Sequence, residues 1–146
     1  MDEVPAISVG SRRNEDIALD LMKFIAMTTG YGKSSSPTGG VGFLKTCQKE
    51  LEKSRAKIVT VIGRYFAMDR DRRWDRTKKA WDAIVLGRGE ICKLLPSEAV
   101  DQQYKNGKTD EFMPPLIFSH ANEQRVRDDD SVLFFNFRAD RARQLS

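Results

Sequence analysis

Arginines at two turns carry the chemistry this sequence offers. Arg64, Arg70, Arg72, Arg73 and Arg76 crowd the connection after one apolar run, and Arg138, Arg141 and Arg143 crowd the exit of another. A guanidinium is a planar fork of donors that stays charged and suits carboxylate and phosphate oxygens. Two such turns could converge on one anionic ligand. Arg138 and Arg141 would share a face if their turn is helical. The blander use for the same cations is a solvated surface, with Asp69, Asp71, Asp75 and Asp140 as local partners.

The elements that must position these turns follow from apolar pattern. Ile58-Val59-Thr60-Val61-Ile62 reads as a buried strand and the segment from Asp75 to Leu86 as an amphipathic helix. The first arginine stretch is therefore a strand-to-helix connection, the place where open α/β sheets bind ligands. Ser131 to Phe135 is again β-like and leads into the second stretch. Upstream, Asn14 caps an expected core helix to about Thr28, with Ile17, Leu21, Phe24 and Ile25 on one face. Thr29 to Gly40 is a Gly/Ser linker whose spacing does not fit a phosphate loop.

A further helix is expected from Thr38 or Gly40 to about Ser54, burying Phe43, Leu44, Cys47 and Leu51. In the helix from Asp75, Ala80, Trp81, Ile84 and Val85 recur at helical spacing and Gly87 supplies the stop. Trp74 and Trp81, two turns apart, are expected in the core and not as a base-stacking platform. Ser97 can cap a helix toward Tyr104 that ends at Asn106-Gly107, and Leu116 to Phe118 reads as a short strand. Asp128-Asp129-Asp130 reads as a solvated turn, because three adjacent carboxylates cannot all face one metal ion.

The totals narrow the class. The chain has 146 residues, 40% hydrophobic and 32% charged, which suits a soluble domain with a core and excludes a disordered chain. A formal charge of +4 is mildly basic, far from a nucleic-acid tail. No apolar run is long enough to span a membrane. The two cysteines, Cys47 and Cys92, are expected to be buried free thiols, and the N-terminus has no secretory pattern, so a cytoplasmic setting is expected. His120, the one histidine, excludes a His-rich metal site.

The residues themselves sharpen this. Gly63 to Trp74 closely resembles the G-R-Y-Y-A-M-D-R-D-x-R-W signature of the cofactor-independent (2,3-bisphosphoglycerate-independent) phosphoglycerate mutases. Phe134 to Arg143 resembles that family's F-F-N-F-R-A-D-R-A-R element, and the two occur in the family's order. The resemblance covers Pro37 to Ser146. It implies that residues 37–146 are a partial substrate-binding domain and residues 1–36 a divergent N-terminal segment, helix plus linker. It also implies an α/β fold, a three-layer sandwich with a mostly parallel sheet between helices, here incomplete.

In that family a phosphatase-like domain carries a serine nucleophile, which becomes phosphoserine, and two manganese ions. The other domain carries arginines that grip phosphoglycerate. Position by position, the resemblance makes Arg64, Arg70, Arg138 and Arg141 the substrate-binding residues, with Asp69, Asp71 and Asp140 orienting arginines. It places no catalytic residue and no metal ligand in this chain. The family's Asp-Gly-Arg-Asp element is missing, since Thr29 to Ser36 in its place holds no Asp and no Arg, and Phe66 replaces the usual second tyrosine.

The implied activity is isomerisation of 3-phosphoglycerate and 2-phosphoglycerate in glycolysis and gluconeogenesis. This chain would supply only the gripping arginines and be inactive alone. Its implied partners are those two substrates and a phosphatase-like domain supplied in trans, with no specific nucleic acid and no membrane. Two alternatives stand beside this: a non-catalytic remnant that binds phosphorylated acids or another mutase chain, and a basic nucleic-acid-binding protein.

Overall fold

Neighbouring residues on a strand point to opposite faces of its sheet, and two short strands use that alternation to build two cores. In the computed structural model, which describes residues 36–54, 56–118, 126–134, 136 and 138–146, Val61 and Leu116 join one cluster while Ile62 and Ile117 join another. The strands are β1 (Thr60–Val61), β2 (Glu90–Ile91) and β3 (Leu116–Ile117), ordered β1-β3-β2. β3 runs antiparallel to β1, with Thr60 opposite Ile117, and parallel to β2, with Glu90 opposite Leu116. The outer edges of β1 and β2 have no strand partner among the described residues.

Around the sheet stand α1 (Gly40–Leu51), α2 (Arg64–Ala67), α3 (Trp74–Trp81) and α4 (Pro96–Lys105). Leu44 of α1 and Ala99 and Val100 of α4 pack with Val61, Met113 and Leu116. Ala80 of α3 and Ala83 pack with Ile62 and Ile117, and Phe66, Ala67 and Leu145 lie against them. Helices thus cover both faces, and the α/β sandwich expected from the sequence is borne out, with a mixed sheet. The candidate helix over residues 14–28, most of the Gly/Ser linker and His120 lie outside the described residues.

Local chemistry explains the element ends. The α1 N-terminus is held by the Asp110 carboxylate, which accepts the Gly40 N–H at 3.0 Å and also the Tyr104 hydroxyl. Gly87, at φ 60, takes the left-handed conformation that stops a helix. Between α3 and Gly87 the chain widens into one π turn, Asp82–Leu86. Ser97 does not cap α4. Pro96 occupies the first turn instead, the Leu95 N–H is satisfied by Glu98 Oε2 at 3.2 Å, and the Ser97 N–H reaches Gln48 Oε1 on α1 at 3.1 Å.

Two expectations from apolar pattern are corrected. Trp74 and Trp81 are 61% and 42% exposed, while Thr77, Ala80 and Ala83 are buried. The small residues let the helix approach the sheet closely, so the buried stripe is rotated off the tryptophans. Residues 131–134 join no strand ladder. Both flanks of β3 are already occupied, and residues 131–134 pair with neither outer edge of the sheet. Val132 is accordingly exposed. Cys47 and Cys92 are free thiols, half-buried and not fully enclosed.

Candidate functional site

The first turn leaves β1 through a narrow passage. The Gly63 N–H donates to the Met113 carbonyl at 2.9 Å and the Tyr65 N–H to the Glu111 carbonyl at 3.0 Å. A Cβ at residue 63 would collide with the Glu111 carbonyl oxygen and lie 2.6 Å from the Met113 nitrogen. Only glycine lets the two backbones touch, and that contact fixes where α2 and Arg64 begin. Arg64 is exposed, its Nε 3.8 Å from Glu111 Oε1.

Past α2 the chain folds around one buried carboxylate. Asp69 Oδ2 accepts the Asp71 N–H at 3.1 Å, the Arg73 N–H at 2.9 Å and the Gln144 side-chain amide at 3.1 Å. Between those two backbone donors, Arg72 sits at φ 56, a left-handed conformation uncommon for a side chain of its size. Arg76 approaches Asp69 Oδ1 at 3.6 Å and lies over the Tyr65 ring, 3.8 Å from its centroid. Burial pushes the Asp69 carboxyl up. The hydrogen bonds from Arg73, Gln144 and Asp71, with the Arg76 charge, outweigh it and hold the group below its ordinary value.

The second turn is a short 3-10 helix, Ala139–Arg141, with Arg138 at its N-cap. Arg138 is extended, outside that helical turn, so the shared helical face expected of Arg138 and Arg141 does not follow from the turn. Arg138 grips Asp140 with both arms of its fork, at 3.2 and 2.9 Å. Arg70, from the first turn, reaches the same carboxylate at 3.7 Å. Arg141 Nη1 donates to the Met68 carbonyl at 2.9 Å, and Gln144 Nε2 donates to the Asp69 carbonyl at 2.6 Å.

Arg70, Arg138 and Arg141 therefore meet where the two turns touch, and Arg64 is near enough for its charge to act on Arg141. Burial, then the charges of Arg70 and Arg64 and, less strongly, Arg138, pull the Arg141 guanidinium below its ordinary value, against the opposing effect of Asp140. Burial raises the Asp140 carboxyl, and Arg138, Arg141 and Arg70 together bring it below its ordinary value. Arg70 and Arg138 share the Asp140 carboxylate, Arg64 faces Glu111, and Arg141 holds a backbone carbonyl. The cluster keeps a positive excess that a bound anion would relieve.

The orienting role expected of Asp140 fits this geometry. Asp69 instead holds the backbone of the turn and Arg76, while Asp71 contributes its N–H and leaves its side chain exposed. Sequence reading missed Gln144 and Glu111, which lie outside both motifs. Manganese does not fit the described residues. No group of three His, Cys, Asp or Glu among them could hold a metal ion, and the carboxylates of Asp69 and Asp140 are engaged by cations and N–H donors. Among the described residues no helix is long and apolar enough to cross a membrane.

Known proteins agree with this architecture. Residues 21–146 match the family model described as "BPG-independent PGAM N-terminus", a match that begins ahead of Pro37. A 2,3-bisphosphoglycerate-independent phosphoglycerate mutase of Akkermansia muciniphila is 62% identical over 115 residues, covering 79% of this chain and 22% of that protein. The corresponding protein of Thermomicrobium roseum is 47% identical over 119 residues, with the same coverage. A crystal structure of Leishmania mexicana phosphoglycerate mutase at low cobalt concentration superposes with a TM-score of 0.64 at 28% identity, over 73% of this chain and 22% of that one. The chain thus spans about a fifth of the length of these relatives. On the family match and these identities, the chain belongs to the 2,3-bisphosphoglycerate-independent phosphoglycerate mutase family, as part of its N-terminal domain.

Proposed function

We propose that Arg64, Arg70, Arg138 and Arg141 form the phosphoglycerate-gripping half of a mutase that interconverts 3-phosphoglycerate and 2-phosphoglycerate in glycolysis and gluconeogenesis, in the cytoplasm. The observation that carries this reading is the meeting of two arginine turns: Arg70 of the first and Arg138 of the second reach the same Asp140 carboxylate, and Arg141 of the second holds the Met68 carbonyl of the first. Crowded like charges destabilise a protein unless an anion uses them. Phosphoglycerate offers a carboxylate and a phosphate, which suit guanidiniums from two turns, and several charge-assisted bonds would hold it while it turns over.

The grip supplies no chemistry by itself. Phosphoryl transfer needs an activated nucleophile and charge stabilisation specific to the transition state. The nucleophile and any metal would come from a phosphatase-like domain outside these residues. The missing Asp-Gly-Arg-Asp element favours a second reading, in which the chain binds phosphorylated acids, or another mutase chain, without taking part in turnover.

Calorimetric titration of 3-phosphoglycerate into the whole chain, paired with an enolase-coupled assay in manganese, tests the proposal. Saturable binding without turnover is expected. Absence of binding would overturn the grip, and turnover above a matched blank would overturn the division of labour.

A further inference from the structure

The two arginine turns are held together by more than their arginines, Arg141 on the Met68 carbonyl and Arg70 on Asp140. They also meet through Asp69 and Gln144, which are 75 positions apart in sequence. Asp69 is 6% exposed and closes its own turn through the N–H groups of residues 71 and 73. Gln144 leaves the second turn and places a single amide nitrogen on both the carbonyl and the carboxylate of Asp69. The orientation of that amide is dictated: two acceptors on Asp69 demand the nitrogen, and Gln144 Oε1 is left buried with no hydrogen-bond partner. A buried unpaired carbonyl is costly, so the contact with Asp69 outweighs a penalty that an exposed side chain would have avoided.

We infer that the Asp69–Gln144 pair is the positioning device that sets Arg64 and Arg70 in register with Arg138 and Arg141. This inference rests on reading the arginine cluster as an anion site. Asp69 would repel an anion, and the Gln144 amide nitrogen is already engaged by Asp69. Asp69 fixes the path of the chain into and out of Arg70, and Gln144 ties the helical turn bearing Arg141 to that path. The adjoining bond from Arg141 to the Met68 carbonyl depends on the same alignment.

A positioning role differs from a merely structural one in which ligands it affects. Inorganic phosphate can be held by arginines of one turn, but 3-phosphoglycerate needs both turns at a set separation. The test uses the whole chain with Asp69→Ala and, because that variant removes a buried carboxylate, the near-isosteric Gln144→Leu. For Gln144→Leu, 3-phosphoglycerate affinity should fall by about tenfold or more, as misplacement of a binding group does, while inorganic phosphate affinity stays within about twofold. Equal losses for both ligands, or no loss for either, would overturn the inference.

A second readout does not need the organic ligand. In ¹⁵N–¹H spectra the Arg141 side-chain Nε–H signal should be sharp in the parent chain. It should broaden in Gln144→Leu while the backbone spectrum stays dispersed, and an unchanged Arg141 signal would overturn the inference. If the parent chain does not bind 3-phosphoglycerate, the anion-site reading fails, and the spectra still decide whether the pair positions Arg141.

Discussion

Arg141 donates from Nη1 to the backbone carbonyl of Met68 at 2.9 Å, joining residues 73 positions apart. One arm of the guanidinium is thereby fixed on protein, which orients the plane of the fork beside Arg70 and Arg64. A lysine carries the same charge but not the planar fork. Arg141→Lys should therefore weaken 3-phosphoglycerate binding by about 1.5–3 kcal/mol, the scale of a charge-assisted hydrogen bond. Calorimetry checks this, and parent-like affinity would show that charge alone suffices.

Asp69 gives the protein an acid limb. Its carboxyl is held below its ordinary value in the folded chain. It therefore contributes stability above the unfolded carboxylate value, near about 3.9, and loses that contribution as pH falls through the folded value. Asp69→Asn should be less stable at neutral pH and show a flatter decline below about pH 4. Melting temperatures measured by circular dichroism between neutral and acid pH test this. Parallel curves for parent and variant would contradict it.

The passage at Gly63 has an equally local consequence. Its backbone angles, φ -67 and ψ 151, suit any residue, so the obstacle to a side chain is contact and not strain. The atoms a methyl group would meet belong to the backbone of residues 110, 111 and 113 and cannot swing aside. Gly63→Ala should cost about 1–3 kcal/mol, as overpacking does. Urea unfolding measures it, and a parent-like midpoint would show that the passage widens freely.

The tryptophans are best tested by light. Trp74 and Trp81 are the two tryptophans of the chain and both are substantially exposed. Emission should be water-like and readily quenched by iodide. Trp74→Ser should change stability by less than about 0.5 kcal/mol, as exposed positions do. A blue-shifted, protected emission would restore the tryptophans to the core.

What the sequence disclosed was local. Gly63 to Trp74 could be read because charge type, strand exit and motif coincide within one stretch. Arg138 and Arg141 could be grouped because both belong to one short motif. Strand β2 was missed because Glu90 and Ile91 are both exposed and leave no apolar run to detect. The tryptophans were misplaced because periodicity gives a helix its stripe only to within a residue, and alanines can claim the centre. The Asp69–Gln144 bond spans most of the described chain, and no spacing rule reports a contact of that range.

The central claim is that arginines from two turns serve one anion. Calorimetry of 3-phosphoglycerate with Arg64→Ala, Arg138→Ala and the double variant tests it most directly. Each single change should weaken binding by about 1.5–3 kcal/mol. The double change should cost less than the two single losses added together, because groups that share one ligand are coupled. Unchanged affinity in both single variants would contradict the claim.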